Sequence, residues 1–283
     1  MDAGAAKYRE LLSGEPNSST LPKNASLENV LPQISITDFQ KTNSLQDRAN
    51  STLLLALEEL SNNVPLIIRD LRELPQESTQ YMLAECFAKK GALEQYCPGY
   101  TTEDFLKYIK RVWPRLQDIS FGVVDPKGTV MGVATMADEM DLLDLSELAS
   151  KDIHPHLTNV YEYLGSLVER AKDRLPQTHR RGVLLDKFLY GVRLNAMSSS
   201  ENLYVMYFLM KETHRRAEER GFSYSVSQNT HPFTQALAAF FGSERLLTDC
   251  PHNYVNHANE KVFSFIPEKV QVTVDLKTYS TKA

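Results

Sequence analysis

Cysteine is scarce in this sequence, and the cysteines that occur form no recognisable motif. The 283 residues include three cysteines, none of them in a CxxC pair, at Cys86, Cys97 and Cys250. An odd, widely spaced set excludes the disulfide framework typical of small secreted proteins, and it lacks the paired spacing of structural zinc sites. We therefore expect free thiols in a reducing compartment, and no metal.

Long apolar runs and an excess of positive charge are also missing. The chain contains no apolar run of about eighteen residues, and residues 1–6 lack the basic start and apolar stretch of a secretory signal. The formal net charge is -5, so no overall basic field is available to attract nucleic acid. These absences predict a cytoplasmic protein that binds neither membrane nor nucleic acid.

Composition divides the chain into three parts. Residues 1–62 begin with a stretch rich in Ser, Asn and Pro, which predicts a flexible leader, and they end in a short amphipathic helix. The apolar face of this helix, which would dock on the rest of the chain or on a partner, consists of Leu53, Leu54, Leu57 and Leu60. Residues 63–268 are predicted to form one domain, and residues 269–283 a C-terminal tail.

Patterns typical of strands and helices alternate through the predicted domain. Helices are predicted at 77–90, 102–117, 156–174, 203–220 and 231–241, and strands at 64–71, 119–124, 129–136, 187–197, 222–227, 246–249 and 262–266. The second and third strands are joined by Asp125-Pro126-Lys127-Gly128, whose proline and glycine favour a tight turn between antiparallel strands. The pattern thus predicts a mixed α and β domain that contains a β-hairpin.

The most specific motif is a helix that ends in a Gly-Phe pair, followed by a strand and a polar helix start. It reads Arg216-Ala217-Glu218-Glu219-Arg220-Gly221-Phe222, then Thr230-His231-Pro232-Phe233-Thr234-Gln235 and Gly242. With the element order, this stretch resembles the GNAT (N-acetyltransferase) superfamily. The predicted helix at 156–174 is similar to an insertion in the arylalkylamine N-acetyltransferase branch. The resemblance implies an α/β (α+β) fold with a mixed, mostly antiparallel central sheet flanked by helices.

The resemblance also implies a site for acetyl-CoA or another acyl-CoA. In the family, the pantetheine arm lies between two splayed strands, and the pyrophosphate rests on backbone amides at the next helix start. The matching positions are Asn195, Ala196, Met197, Ser198, Ser199, Ser200, Asn202, Tyr204, Asn229 and Thr234. The family's glycine signature falls on residues 200–204, which include no glycine. There, Glu201 is expected to repel a pyrophosphate and Tyr204 to crowd it.

Two catalytic groups of the family also lack direct counterparts. The glutamate base of the arylalkylamine branch falls on residues 90–93, which contain no carboxylate. Its substitutes are Glu94, Asp138 and Glu139, each of which can also be interpreted as a solvated acid. The family's tyrosine acid is absent from residues 237–241, so the nearest alternatives are Tyr224 and Tyr254, which can also be interpreted as core residues. His231 is a further candidate, as a base or as a helix cap, and can also be interpreted as a surface residue.

These features support two hypotheses about function. The first is an acyl-CoA-dependent N-acyltransferase, by resemblance an N-acetyltransferase, in which the neutral amine of a small molecule attacks the thioester directly. A covalent route is disfavoured because Cys86 and Cys97 have no adjacent histidine. The second hypothesis is a catalytically inactive GNAT-fold binding or regulatory protein, since both the glycine signature and the glutamate are missing.

Overall fold

A computed structural model describes residues 44–63, 66–116, 118–141, 153–177, 180–194 and 199–280. The strands are β1 Ile67–Asp70, β2 Phe121–Val124, β3 Val130–Asp138, β4 Leu184–Val192, β5 Tyr224–Asn229, β6 Glu244–Asp249 and β7 Val272–Thr278. The α-helices are α1 Ser44–Asn63, α2 Gln76–Lys90, α3 Thr102–Val112, α4 Pro155–Ala171, α5 Ser199–Glu219 and α6 Pro232–Phe240.

One seven-stranded sheet forms the centre, in the order β1-β2-β3-β4-β5-β7-β6. Every neighbouring pair is antiparallel except β4 and β5, which run parallel. One face of the sheet packs against α2, α3 and α4, and the other packs against α5, with α1 and α6 beside it. The predicted fold class, a mostly antiparallel sheet flanked by helices, is confirmed.

The predicted hairpin and helix ends are present. In the turn between β2 and β3, the Asp125 amide donates to the Thr129 carbonyl at 3.0 Å, and Gly128 has a φ of 83°. The left-handed φ of 79° at Gly221 ends α5, as expected for a glycine cap. By contrast, α3 ends at Val112 and a 3₁₀ turn carries Pro114, because proline removes a helical hydrogen bond. The prediction of one helix over 102–117 was therefore too long.

The C-terminal prediction was wrong. Residues 262–266, predicted as a closing strand, form turns, in which the Ile266 amide donates to the Phe263 carbonyl at 2.9 Å. The closing strand is β7, within the segment 269–283 that was predicted as a tail, and it lies between β5 and β6. The strand was not predicted because the charged Asp275 reads as a surface residue. In the structure this side chain is buried and accepts hydrogen bonds from Asn229 and Arg245.

The amphipathic helix of the leader packs on the domain. Its leucines join side chains of α5 and α6 in one apolar cluster, which includes Leu57, Tyr204, Tyr207, Phe233 and Leu237. The helix end is held by Lys211, whose Nζ donates to Ser61 Oγ at 2.8 Å. Of the two uses foreseen for this helix, the structure shows the first, docking on its own chain.

The described ranges contain neither a membrane-spanning helix nor a metal-binding group of acidic, histidine or cysteine side chains. In those ranges, no helix has both the length and the apolar character needed to cross a membrane. Nor do three or more His, Cys, Asp or Glu side chains converge there in a metal-binding group. The thiols of Cys86, Cys97 and Cys250 are free.

Candidate active site

The parallel strands β4 and β5 pair along only part of their length. Their register runs from Leu184 opposite Tyr224 to Lys187 opposite Ser227, whereas β4 continues to Val192 and β5 to Asn229. The register of β4 against β3 shifts at this same point, between its Lys187 and Leu189 partners. A bulge bends its strand and interrupts the ladder locally, and the pairing of β4 with β5 ends at this bulge. The two strands are therefore no longer paired with each other after Lys187 in β4 and Ser227 in β5.

A cavity of about 460 Å³ opens where the strands separate. This volume is within the range of small-molecule sites. The walls come from α2 and its following loop, from the end of α3 and the 3₁₀ turn after it, from the end of β3, from α4, from β4, from α5 and from the β5–α6 connection. Side chains in these walls include Cys86, Phe87, Glu94, Tyr161, Asp186, Leu189, Asn202, Met206, Asn229, His231 and Thr234.

Glu94 is the predicted base candidate that the structure brings to the cavity. It lies in a 3₁₀ turn after α2, is 8% exposed, and its Oε2 accepts a weak hydrogen bond from the Leu93 amide at 3.3 Å. Burial raises the pKa of the Glu94 carboxyl to about 7, against the opposing effect of nearby backbone amides. Such a carboxyl is able to exchange a proton near neutral pH.

Gly91 makes room for this carboxylate. A Cβ atom added to Gly91 would lie 2.2 Å from Glu94 Oε2 and 2.5 Å from the Phe87 carbonyl oxygen. Real Cβ atoms do not approach other atoms so closely, so any larger residue would displace the carboxylate or the end of α2. Residues 90–93 contain no carboxylate, but Gly91 within this segment leaves the space that the carboxylate of Glu94 occupies.

The other two acidic candidates lie elsewhere. Asp138 ends β3, where its carboxylate accepts hydrogen bonds from the Gly182 amide at 2.6 Å and from the Met140 amide at 3.0 Å. Glu139 is exposed in the following 3₁₀ turn. Neither side chain is in the cavity wall. The wall in this region consists of Ala137 and Asp141 instead.

The tyrosine candidates for the general acid and the histidine candidate also differ in position. Tyr224 begins β5 where that strand is still paired with β4, and it packs against the apolar cluster of α4 and β7 outside the cavity wall. Tyr254 packs in the same apolar cluster as Tyr224, outside the cavity wall. His231 is in the wall and caps α6, because its Nδ1 accepts a hydrogen bond from the Phe233 amide at 3.1 Å. Burial lowers the pKa of His231, so the ring is neutral and carries its proton on Nε2.

The predicted donor-site residues fall into three groups. Asn195, Ala196, Met197 and Ser198 lie outside the described residues, as do the side chains of Ser199 and Ser200. Asn202, Asn229 and Thr234 line the cavity. Tyr204 was predicted to crowd the donor, but its side chain packs against the leucines of α1. It lies on a different face of α5 from Asn202 and Met206, which line the cavity.

Asn202 has an unusual environment. The side chain is 7% exposed, and its Oδ1 has no hydrogen-bond partner among the described residues. A buried acceptor without a donor is destabilising unless another molecule supplies one. Asn229 differs, since its Nδ2 donates to Ser227 Oγ at 2.9 Å and to Asp275 Oδ2 at 2.7 Å. Asn202 is therefore the better candidate to contact a ligand.

Asp186 is a cavity residue that sequence reasoning missed. It lies on β4, and burial raises the pKa of its carboxyl to about 7, although the neighbouring Lys187 lowers it in part. The predicted strand began at Lys187, so Asp186 was left outside it. The available signal was a charged pair, Asp186 and Lys187, within a run of apolar residues.

Solved structures similar to this chain share its sheet and helix arrangement. The C-terminal condensation domain of Ebony, in complex with β-alanyl-dopamine, is 24% identical with a TM-score of 0.66, over 76% of this chain and 100% of that chain. Mosquito arylalkylamine N-acetyltransferase like 5b is 15% identical with a TM-score of 0.56, over 76% and 100%. Drosophila melanogaster polyamine N-acetyltransferase, described as forming N-acetylagmatine, is 13% identical with a TM-score of 0.55, over 76% and 100%.

No protein-family model matches the sequence, and no curated protein matches it. At these identities the structural similarity establishes the fold. The chain therefore has the GNAT fold, in the form found in arylalkylamine N-acetyltransferases and in the Ebony condensation domain.

Proposed function

We propose that this protein is an acyl-CoA-dependent N-acyltransferase that acylates a small amine by direct transfer. The observation that carries the proposal is the cavity between the separated strands β4 and β5, with the buried carboxyl of Glu94 in its wall. A slot between unpaired strand segments suits an extended thioester arm, because backbone groups that face the slot need hydrogen-bond partners. Buried carboxyls with a pKa near 7 are typical of general bases.

The cavity has features that fit the donor. Acyl-CoA, when bound, supplies the activated thioester carbonyl. Asn202 Oδ1 would accept a hydrogen bond from an amide of the pantetheine arm, since it has no other partner among the described residues. Thr234, at the start of α6, also lines the cavity, although its hydroxyl already donates to the His231 carbonyl at 2.9 Å.

Glu94 would prepare the acceptor for attack. An amine dissolved in water at neutral pH is mostly an ammonium ion, which has no lone pair to donate. The ionised Glu94 carboxylate removes a proton from it, directly or through a water molecule. The nitrogen then attacks the thioester carbonyl, a C–N bond forms, and the C–S bond breaks. The thiolate of the carrier leaves and takes up the proton that the acylated nitrogen still has to lose, and Glu94 releases its own proton to solvent.

Two other wall residues define this chemistry further. The neutral His231 offers its Nε2 proton as a hydrogen-bond donor to charge that develops on oxygen or sulfur. Cys86 is a poor nucleophile, because burial raises the pKa of its thiol to about 11 and keeps it protonated. Direct transfer is therefore favoured over an acyl-cysteine intermediate.

The neighbours support an amine acceptor. The mosquito protein is named an arylalkylamine N-acetyltransferase, and the Drosophila enzyme a polyamine N-acetyltransferase. The Ebony domain holds β-alanyl-dopamine, an amide of an arylalkylamine. Proteins of this fold are thus named for reactions of small amines, and the cavity in this chain has a volume suited to ligands of that size.

The proposal is tested by binding and by turnover. Acetyl-CoA at about one hundred times its dissociation constant is expected to raise the free energy of unfolding by about 2.7 kcal/mol. With acetyl-CoA present, a panel of arylalkylamines and polyamines is expected to accelerate release of the CoA thiol. Stabilisation without release by any amine would support the binding-protein alternative, and the absence of both would contradict the proposal.

A further inference from the structure

The cavity contains a second carboxylate that the proposed reaction does not use. Asp186 lies on β4, in the sheet that forms the floor, whereas Glu94 lies on the loop after α2. Both groups influence the pKa of Tyr108, whose ring stacks at 4.3 Å on Tyr161 in the cavity wall. Both carboxyls line the same cavity.

The Asp186 carboxylate has no hydrogen bond or ion pair with any residue in the described ranges. Lys187, the next residue, points to the other face of the sheet, where its Nζ lies 3.9 Å from Met210 Sδ. The cations in the cavity wall are Lys90, which is exposed at the end of α2, and Arg115, which contacts the Asp141 carbonyl at 3.5 Å. Asp141 itself is held by Arg181. A half-buried carboxyl thus faces the cavity without a hydrogen bond or ion pair in the described ranges, and the Lys187 charge on the other face of the sheet offsets its burial only in part.

Such a group favours a cationic ligand. Removing a carboxylate from water costs free energy unless a positive charge or hydrogen-bond donors replace the water. The rings of Phe87 and Tyr161 line the same cavity, and aromatic faces attract cations. The unpartnered Asn202 Oδ1 is a second, independent sign that the cavity is shaped for a polar molecule.

The cation at Asp186 must differ from the amine that is acylated. An ion pair stabilises the protonated form of an amine and so removes the lone pair that attack requires. Glu94 already serves the reacting nitrogen in the proposed reaction, where it must accept a proton rather than hold an ammonium ion. A second carboxylate is useful for a positive group that stays charged throughout.

On the basis of the proposed function, we propose that Asp186 binds a second ammonium or guanidinium group of the substrates, one that is not acylated, and so selects substrates that carry it. Two sources supply this chemistry: a diamine acceptor, or an acyl group that itself bears an amine. In both, the charged group lies against Asp186 while the reacting nitrogen lies near Glu94.

The test compares matched substrates in the full-length protein and in Asp186→Asn. One arm uses 1,4-diaminobutane against butylamine with acetyl-CoA. The other uses 3-aminopropionyl-CoA against propionyl-CoA with phenethylamine. Wild type is expected to prefer the substrate with the additional ammonium by at least about tenfold in kcat/KM in one arm, because a buried ion pair is lost with its neutral analogue. Asp186→Asn is expected to remove that preference and to change kcat/KM for the neutral analogue by less than about threefold.

Controls separate specificity from stability and from catalysis. Asp173→Asn, at an exposed aspartate in the 3₁₀ turn after α4, should leave the preference intact. Asp186→Asn should melt no lower than wild type, because it replaces a carboxylate that burial disfavours. It should also keep the inflection near neutral pH that is expected for Glu94. A lost inflection would instead assign the base to Asp186, and equal losses for both members of each pair would overturn the selectivity role.

A binding measurement keeps this inference independent of turnover. Calorimetric titration of wild type with 1,4-diaminobutane and with 3-aminopropionyl-CoA, each compared with its neutral analogue, requires no reaction. Tighter binding of a charged member to wild type, lost in Asp186→Asn, would support the cation site even if no thiol were released. Equal binding of charged and neutral members by wild type in both arms would contradict it, whatever the activity.

Discussion

Glu94→Gln is expected to lower kcat/KM for amine acylation by about 10²- to 10⁴-fold, the usual contribution of a general base. The substitution preserves the size of the side chain and removes its ability to accept a proton. The buried position next to Gly91 and the pKa of about 7 single out this carboxyl among the acidic residues named from sequence. Steady-state thiol release with saturating acetyl-CoA and varied amine measures the effect.

The pH dependence distinguishes a base from a structural carboxyl. Since the base must be ionised, wild-type kcat/KM is expected to rise as pH increases through about 7 and to level off above it. With acetyl-CoA and an amine that carries no second charge, this inflection should disappear in Glu94→Gln. The matched control is Glu139→Gln, which alters an exposed carboxylate outside the cavity wall and should leave both rate and profile unchanged. A normal profile in Glu94→Gln would exclude Glu94 as the base.

Leu57→Ala is expected to reduce the free energy of unfolding by about 2–5 kcal/mol, the range observed when large buried side chains are truncated. Leu57 on α1 is fully buried in the cluster that includes Tyr204, Leu237 and Phe233. Phe233 also lines the cavity, so the helix forms a layer directly behind one cavity wall. Denaturant unfolding of the full-length protein gives the change.

The same helix provides the control for this prediction. Leu55, two residues earlier, is 58% exposed, and Leu55→Ala is expected to change stability by no more than about 0.5 kcal/mol. A large difference between the two variants would show that α1 is part of the folded domain. Equal, small effects would show that the helix does not dock in solution, and that residues 1–62 behave as a leader.

Local signals in the sequence predicted much of the fold. Gly221 and Gly242 ended helices as expected, with φ values of 79° and 75°, because only glycine adopts this conformation without strain. The turn at Asp125 to Gly128 joined β2 and β3. These features depend on a few adjacent residues, which is why they are visible in a single sequence.

Features that depend on distant contacts could not be predicted in this way. Strand β7 contains Asp275, which reads as a surface residue until Arg245 and Asn229 are brought to it by the fold. The cavity positions of Glu94 and Asp186 depend on the separation of β4 from β5, which no local pattern encodes. Tyr204 was assigned to the donor because the face of α5 that packs on α1 could not be identified without the partner helix.

The central claim is that the gap between β4 and β5 holds the thioester donor. Hydrogen exchange of the full-length protein, with and without saturating acetyl-CoA, tests it most directly. We expect slower exchange in residues 189–194 and 228–230, where β4 and β5 are not paired with each other, and no change in the hairpin formed by β2 and β3. Unchanged exchange in both strand segments, under conditions in which acetyl-CoA stabilises the protein, would contradict the claim.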